Sequence, residues 1–129
     1  MTQAFDIVVV GAGMVGAALA TGLGQNGFRV ALVDRAPPSA FDPENAPDIR
    51  VSALSAGSER YLQSLGAWDH ILRMRATPYK RLAVWDETRY PLQNLVPRKL
   101  AEVQFDATEL GAQHLGHIVE NSVTQQALW

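Results

Sequence analysis

The clearest pattern along the chain is a β-rich run from Phe5 to Val10 that ends on a glycine, as a buried parallel strand would. Beyond it, Val15 to Leu23 carries small and apolar residues. Ala17, Ala18, Leu19, Ala20 and Leu23 suit a helix packed tightly on a sheet. Gly27 stops that helix, and Arg29 to Val33 makes a second apolar strand that closes on Asp34. The pattern is a βαβ unit, so the expected class is α/β.

Periodicity then changes. Residues 36 to 48 hold Pro37, Pro38, Pro43 and Pro47, four of the seven prolines, and read as a loop. A helix is expected from an N-cap at Ser55 to about Leu65, with Tyr61, Leu62 and Leu65 as its buried stripe and Gly66 as its stop. A short helix from Trp68 to about Met74 follows. Lys80 to Asp86 alternates through Leu82 and Val84, as a half-buried strand does, and Ala101 to Asp106 alternates through Val103 and Phe105 and could pair with it antiparallel. Pro91 and Pro97 lie in the connection between them. Gly116 to Glu120 reads as a short strand feeding a last helix that Asn121 or Ser122 could cap.

Glycine spacing gives the first βαβ unit a chemistry. In Gly11-Ala-Gly13-Met-Val-Gly16, Gly11 permits a tight turn and Gly13 lets main-chain N–H groups approach a pyrophosphate. Gly16 lets the helix lie close to the strand, while the positive end of the helix faces the phosphates through Met14 and Val15. Asp34 can accept hydrogen bonds from ribose hydroxyls, and its charge disfavours a 2′-phosphate there. The other reading of Asp34 is a surface carboxylate at a strand end.

Composition narrows the alternatives. A net charge of −2 leaves no electrostatic footprint for nucleic acid. The absence of cysteine excludes disulfides, thiolate nucleophiles and thiolate metal ligands, and agrees with a cytoplasmic setting. The first apolar run is too short for a membrane span and lacks the basic start of a signal peptide. With 129 residues, the chain is short for a complete doubly wound dinucleotide domain, and Val123 to Trp129 resembles a helix stopped in mid-course. It therefore reads as an N-terminal piece of a larger protein. No third parallel strand follows Asp34, as it would in a plain dehydrogenase.

Several segments together resemble a known family. They are Val8 to Gly16, Asp48-Ile-Arg-Val-Ser-Ala-Leu-Ser55, Leu65-Gly-Ala-Trp68, and His114 to Trp129. The chain resembles FAD-dependent aromatic-ring hydroxylases, the class A flavoprotein monooxygenases, and more narrowly the branch acting on ubiquinone precursors. The resemblance implies an incomplete Rossmann-like FAD-binding unit followed by helices and an antiparallel strand pair from a substrate domain. On that basis residues 1–76 begin the FAD-binding domain, 77–110 begin the substrate domain, and 111–129 return to the FAD-binding domain.

It also implies that Gly11, Gly13, Met14, Val15 and Gly16 surround the FAD pyrophosphate, that Asp34 holds the adenosine ribose, and that Arg35 lies near the adenine or ribose. Arg50 would face the flavin side, with Asn121 and Gln125 touching the cofactor. The alternatives are a loop arginine paired with Asp48, a helix cap for Asn121 and a solvated face for Gln125. No catalytic residue of the chain's own is expected, because the cofactor carries the chemistry. NAD(P)H would be the co-substrate and an aromatic or quinone compound the substrate. Other ubiquinone-pathway proteins are candidate partners, and peripheral membrane contact is compatible with a polyprenyl substrate. The competing functions are another Rossmann-type FAD or NAD oxidoreductase, and a nucleotide-binding fragment without turnover.

His70, His114 and His117 read as structural, because no Asp, Glu or His accompanies them at metal-ligand spacing along the chain. Arg73, Arg75, Lys80 and Arg81 read as a solvated basic face. Trp68, Trp85 and Tyr79 read as core or interface residues.

Overall fold

The computed structural model describes residues 4–85 and 102–129. The expected βαβ unit is present: strand β1 (Ile7–Val10), helix α1 (Met14–Gln25) and strand β2 (Val30–Val33), with β1 and β2 parallel and Ile7 opposite Val30. Ala17 and Ala20 are buried on α1, and their small side chains let the helix lie close to the strands. Gly27 has φ +87°, the left-handed conformation that ends a helix cheaply only at glycine.

One expectation fails here. The β1 run is not buried on both faces, since Val8 and Val10 are exposed, as are Leu32 and Val33 on β2. Helix α1 covers one side of this sheet, and among the described residues nothing covers the other.

The second layer is a three-stranded antiparallel sheet in the order β3-β7-β4, from β3 (Val51–Ser55), β7 (Gly116–Glu120) and β4 (Thr77–Tyr79). Gly116 is where the backbones come closest. A Cβ there would stand 2.0 Å from the carbonyl oxygen of Leu54, so no larger residue fits without parting the strands. Helices α2 (Ala56–Ser64), α3 (Trp68–Met74) and α4 (Asn121–Ala127) accompany this sheet. Leu62, Trp68, Ile71, Val119 and Val123 form the core, flanked by Phe41, Leu54 and Met74. Each such side chain contributes roughly 1.5–3 kcal/mol by leaving water.

Ser55 caps α2 as expected, its Oγ accepting from the N–H of Ser58. Tyr61 is a correction to the proposed stripe. It is half exposed, and its hydroxyl donates to the carbonyl of Ala18 on α1 at 3.3 Å. Leu62 and Leu65 are buried as the stripe requires.

The expected antiparallel pair is β5 (Arg81–Trp85) with β6 (Glu102–Asp106), Leu82 opposite Phe105 and Val84 opposite Val103. Its burial departs from expectation, because Leu82, Val84, Trp85, Val103 and Phe105 are all exposed. Leu82, Val84, Val103 and Phe105 share one face of the ribbon, and that apolar face is left about half open to solvent. Of the interface expectations, Trp68 is buried and Trp85 is not. Asp86, Ala101 and the connection carrying Pro91 and Pro97 lie outside the described residues. A short 3₁₀ turn (Ala107–Leu110) leads from β6 towards β7.

Candidate functional site

A cleft of about 510 Å³ opens at the tip of β1. Gly11, Gly13, Met14, Val15 and Gly16 line one wall, and Asp48, Arg50, Asn121, Ser122 and Gln125 line the other. The first wall is dictated by glycine. Gly11 turns the chain with φ +100°, and its N–H donates to the carbonyl of Val33 at 2.8 Å, tying the turn to β2. At Gly16 a Cβ would sit 1.8 Å from the carbonyl oxygen of Gly11, so only glycine lets α1 begin this close to the strand. A Cβ at Gly13 would meet no protein atom within 4 Å, so the main chain there borders open space.

The electrostatics of this wall suit an anion. Helix α1 begins after Gly13 with no side-chain cap and no acidic residue in its first turn. The first intrahelical bond runs from the Ala17 N–H to Gly13. The N–H groups of Met14, Val15 and Gly16 therefore have no acceptor within the helix and carry its partial positive charge.

Asp34 and Arg35 are not on the cleft lining. Asp34 stands behind the glycine turn, where its two carboxylate oxygens accept from the N–H groups of Ala12 and Arg35, both at 2.6 Å. These bonds, Ala12 first, hold the Asp34 carboxyl below its ordinary pKa. The carboxylate thus braces the turn and keeps lone pairs free for further donors.

The second wall is assembled from distant parts of the chain. The N–H of Arg50 donates to the Asp48 carboxylate at 3.0 Å, so the pairing of these residues runs through the backbone. Glu120, a buried carboxylate, accepts from the Asp48 N–H at 2.8 Å and from Arg75 at 3.0 Å. Arg75 also donates to the carbonyls of Pro43 and Asn45 and lies 5.2 Å from the centre of the Phe41 ring. Glu120 and Arg75 therefore clamp the proline-rich loop that leads into Arg50. This corrects the solvated-face reading for Arg75 alone, since Arg73, Lys80 and Arg81 are exposed as expected. Arg81 pairs with Asp106 at 2.6 Å while its side chain stays in solvent.

Neither Asn121 nor Ser122 caps the last helix. Its N-cap is Glu120, without a side-chain bond, and Asn121 accepts from the Ser52 hydroxyl at 2.6 Å. Gln125 donates to the carbonyl of Ala12 at 2.7 Å, and the Trp129 indole N–H reaches the same oxygen at 3.3 Å. The fully buried Ala12 thus joins α4 to the glycine turn.

Sequence reasoning missed Asp48 and Ser122 as lining residues, and Ala12 and Ser52 as their supports. The sequence holds no local signal for Ala12, whose two backbone groups are used by residues more than twenty positions away. Sequence reasoning also missed the partner of two histidines: Glu59 accepts from His117 and His114, on the far side of β7 from the loop clamp.

The glycine turn, the uncapped helix start and the braced acid define a dinucleotide-binding βαβ unit, and its donors fit a pyrophosphate. The family model for FAD dependent oxidoreductases matches residues 6–84, more than half of the chain, and the protein belongs to that family. It is 47% identical over 128 residues to 3-demethoxyubiquinol 3-hydroxylase of Escherichia coli (strain K12), a match covering 98% of this chain and 30% of that protein. Against the mitochondrial ubiquinone biosynthesis monooxygenase COQ6 of Xenopus tropicalis, identity is 40%, covering 96% of this chain and 25% of the relative. The chain thus spans less than a third of the length of these relatives.

Among solved structures, p-nitrophenol 4-monooxygenase PnpA from Pseudomonas putida DLL-E4 superposes with a TM-score of 0.62 at 21% identity, covering 99% of this chain and 29% of that one. A variant of P. aeruginosa PqsL gives 0.62 at 20% identity, covering 96% and 29%. These two likenesses establish the fold. No helix among the described residues is long and apolar enough to cross a membrane.

Proposed function

We propose that this chain forms the FAD-binding N-terminal part of a flavin-dependent monooxygenase that hydroxylates an aromatic ring, of the polyprenyl phenol or benzoquinol type that leads to ubiquinone. The observation that carries the reading is the convergence of Arg50, Asn121 and Gln125 on the cleft at the glycine turn. A dinucleotide site needs the glycine wall, and a flavin laid across it needs the second.

When bound, FAD reduced by NAD(P)H supplies the activated oxygen that an electron-rich ring attacks. The chain's own residues bind and orient. The N–H groups of Met14, Val15 and Gly16 donate to the pyrophosphate, while Gly11 and Gly13 keep Cβ atoms out of its path. Asp34 offers its remaining lone pairs to the ribose, with Arg35 beside it at the adenosine end. Arg50 brings a cation to the flavin side of the cleft. Asn121 and Gln125, each anchored by one hydrogen bond, present polar edges to the cofactor.

In this reading residues 1–76 and 111–129 belong to the FAD-binding domain, and 77–110 open a substrate domain whose one apolar ribbon face meets the rest of the enzyme. The cysteine-free sequence fits a reducing cytoplasm, and a polyprenyl tail on the substrate favours peripheral contact with a membrane, near other proteins of the same pathway.

The test is made on the protein at its natural length. It should purify yellow with one FAD, and an aromatic quinol precursor should trigger NAD(P)H oxidation with insertion of one oxygen atom into the ring. A protein that cannot be loaded with FAD refutes the reading. One that binds FAD but oxidises an amine or a hydroxy acid refutes only the hydroxylase part.

A further inference from the structure

Away from the cofactor cleft, the fold brings together three side chains far apart in sequence. Glu59 lies on α2, His114 in the turn before β7, and His117 on β7 itself. The Glu59 Oε2 stands 3.0 Å from His114 Nε2, and its Oε1 stands 2.6 Å from His117 Nδ1. The imidazoles lie edge to face with ring centres 4.6 Å apart, and His117 rests against the edge of Trp68 at 5.2 Å. Glu59 and His117 are almost wholly enclosed, whereas about a third of the His114 side chain reaches solvent.

Nothing in the cofactor reading uses this cluster. Each oxygen of the Glu59 carboxylate faces one ring nitrogen.

We infer that Glu59, His114 and His117 form a binding site for one divalent transition-metal ion of the zinc type. The ligand chemistry is apt, since two imidazoles and one carboxylate are a common set for zinc with one position left to water. The donor atoms all lie within 4.8 Å of one another. Ligands about 2.0–2.1 Å from a tetrahedral ion stand roughly 3.3 Å apart. The hydrogen-bonded N···O gaps of 3.0 and 2.6 Å would open by roughly 0.3 and 0.7 Å to admit it, and any donor pair wider than about 3.3 Å would close onto the ion. The exposed edge of His114 gives the ion its way in, and Trp68 keeps His117 from turning out. The ion would replace two hydrogen bonds by three coordinate bonds and pin α2 to β7. Its role is then structural, holding the sheet that carries Asn121 and Gln125 to the cleft.

The test uses tag-free, FAD-loaded protein at its natural length, stripped with a chelator and titrated with Zn²⁺ alone, then with Co²⁺ as a spectroscopic substitute. The expected result is one equivalent bound, a melting temperature that rises with Zn²⁺, and Co²⁺ bands of a four- or five-coordinate N/O site. His114→Ala, at the most exposed ligand, should keep the fold and FAD content while weakening Zn²⁺ binding at least about tenfold. Glu59→Gln should abolish the Co²⁺ bands. A melting temperature indifferent to Zn²⁺ would overturn the proposal, as would uptake unchanged in His114→Ala. Destabilisation of both variants with no metal-dependent shift in the parent would assign the cluster to hydrogen bonding alone.

Discussion

Replacing Gly16 by alanine tests the geometry on which the cofactor wall depends. The added Cβ would lie 1.8 Å from the Gly11 carbonyl oxygen and 3.0 Å from its carbon, with Val9 Cγ1 at 3.5 Å. The first two neighbours are backbone, so neither can turn aside as a flexible side chain would. Ordinary contact begins at 3.4 Å, so the start of α1 would have to withdraw by about 1.6 Å, the difference between that distance and 1.8 Å. Overpacking of this kind costs about 1–3 kcal/mol. The withdrawal would also pull the N–H groups of Met14 and Val15 off the pyrophosphate and strain the Ala12–Asp34 bond at 2.6 Å. We expect Gly16→Ala to lower the melting temperature and to weaken FAD binding at least tenfold, which is about 1.4 kcal/mol. Differential scanning fluorimetry and titration of flavin fluorescence on refilling the apoprotein measure the two effects. Gly13→Ala is the control: its Cβ meets no protein atom, so apoprotein stability should fall by no more than the roughly 1 kcal/mol of a poorer N-cap. FAD affinity should nevertheless drop, because the methyl group occupies the pyrophosphate's space. A Gly16→Ala protein with unchanged melting and FAD affinity would refute the close-approach reasoning, and equal losses in apoprotein stability for the two variants would refute the separation of fold from ligand space.

The other predictions address the supports of the same cleft. Glu120→Gln removes the charge that holds Arg75 and keeps only part of the hold on the Asp48 N–H. With Arg75 partly open to solvent, the loss should be about 1–3 kcal/mol, and chemical denaturation should show it together with looser FAD binding as Arg50 drifts. Gly116→Ala would force a Cβ against the Leu54 carbonyl oxygen at 2.0 Å and should cost about 1–3 kcal/mol with less effect on the glycine turn, so destabilisation should exceed any direct loss of cofactor contact. Asp34 gives a pH dependence. Its folded pKa lies below the unfolded value of about 3.9, so its stabilising effect is complete above that value and is lost as pH falls through the folded pKa. Stability of the glycine turn should therefore be flat towards neutrality and decline only in acid below about pH 4, and Asp34→Asn should remove that acid-side contribution. Acid melting curves of the two proteins that coincide below pH 4 and above it would count against the brace.

What was legible along the chain was what neighbouring residues settle among themselves. The glycine turn, its helix and the strand ending on Asp34 follow from small residues at short spacing, and the β5–β6 pairing follows from two alternating runs. The sheet β3-β7-β4 was harder to read, for two physical reasons. Val51 to Ser55 is half small and polar, and its partner lies more than sixty residues away in β7. Thr77 to Tyr79 contains Pro78, which reads as a break, yet β4 is an edge strand, where a missing N–H costs no ladder bond.

Site residues divide the same way. Gly11, Gly13, Gly16 and Asp34 have an intelligible spacing, whereas Glu120, Arg75 and Asp48 meet only because β7 crosses beneath the proline-rich loop. Glu59 and the two histidines make the point most sharply. Their separation of 55 and 58 positions matches no ligand spacing, and antiparallel pairing of β3 with β7 is what carries α2, continuous with β3, over the end of β7. The same pairing sets Ser52 against Asn121 at one end of the sheet and Glu59 against His117 at the other. A change that slides β7 by one residue would therefore disturb the flavin wall and the histidine cluster together. Gly116→Ala, which parts these strands without touching either group, should weaken FAD binding and Zn²⁺ uptake in parallel. Loss of one with full retention of the other would show that the two ends of the sheet are held independently.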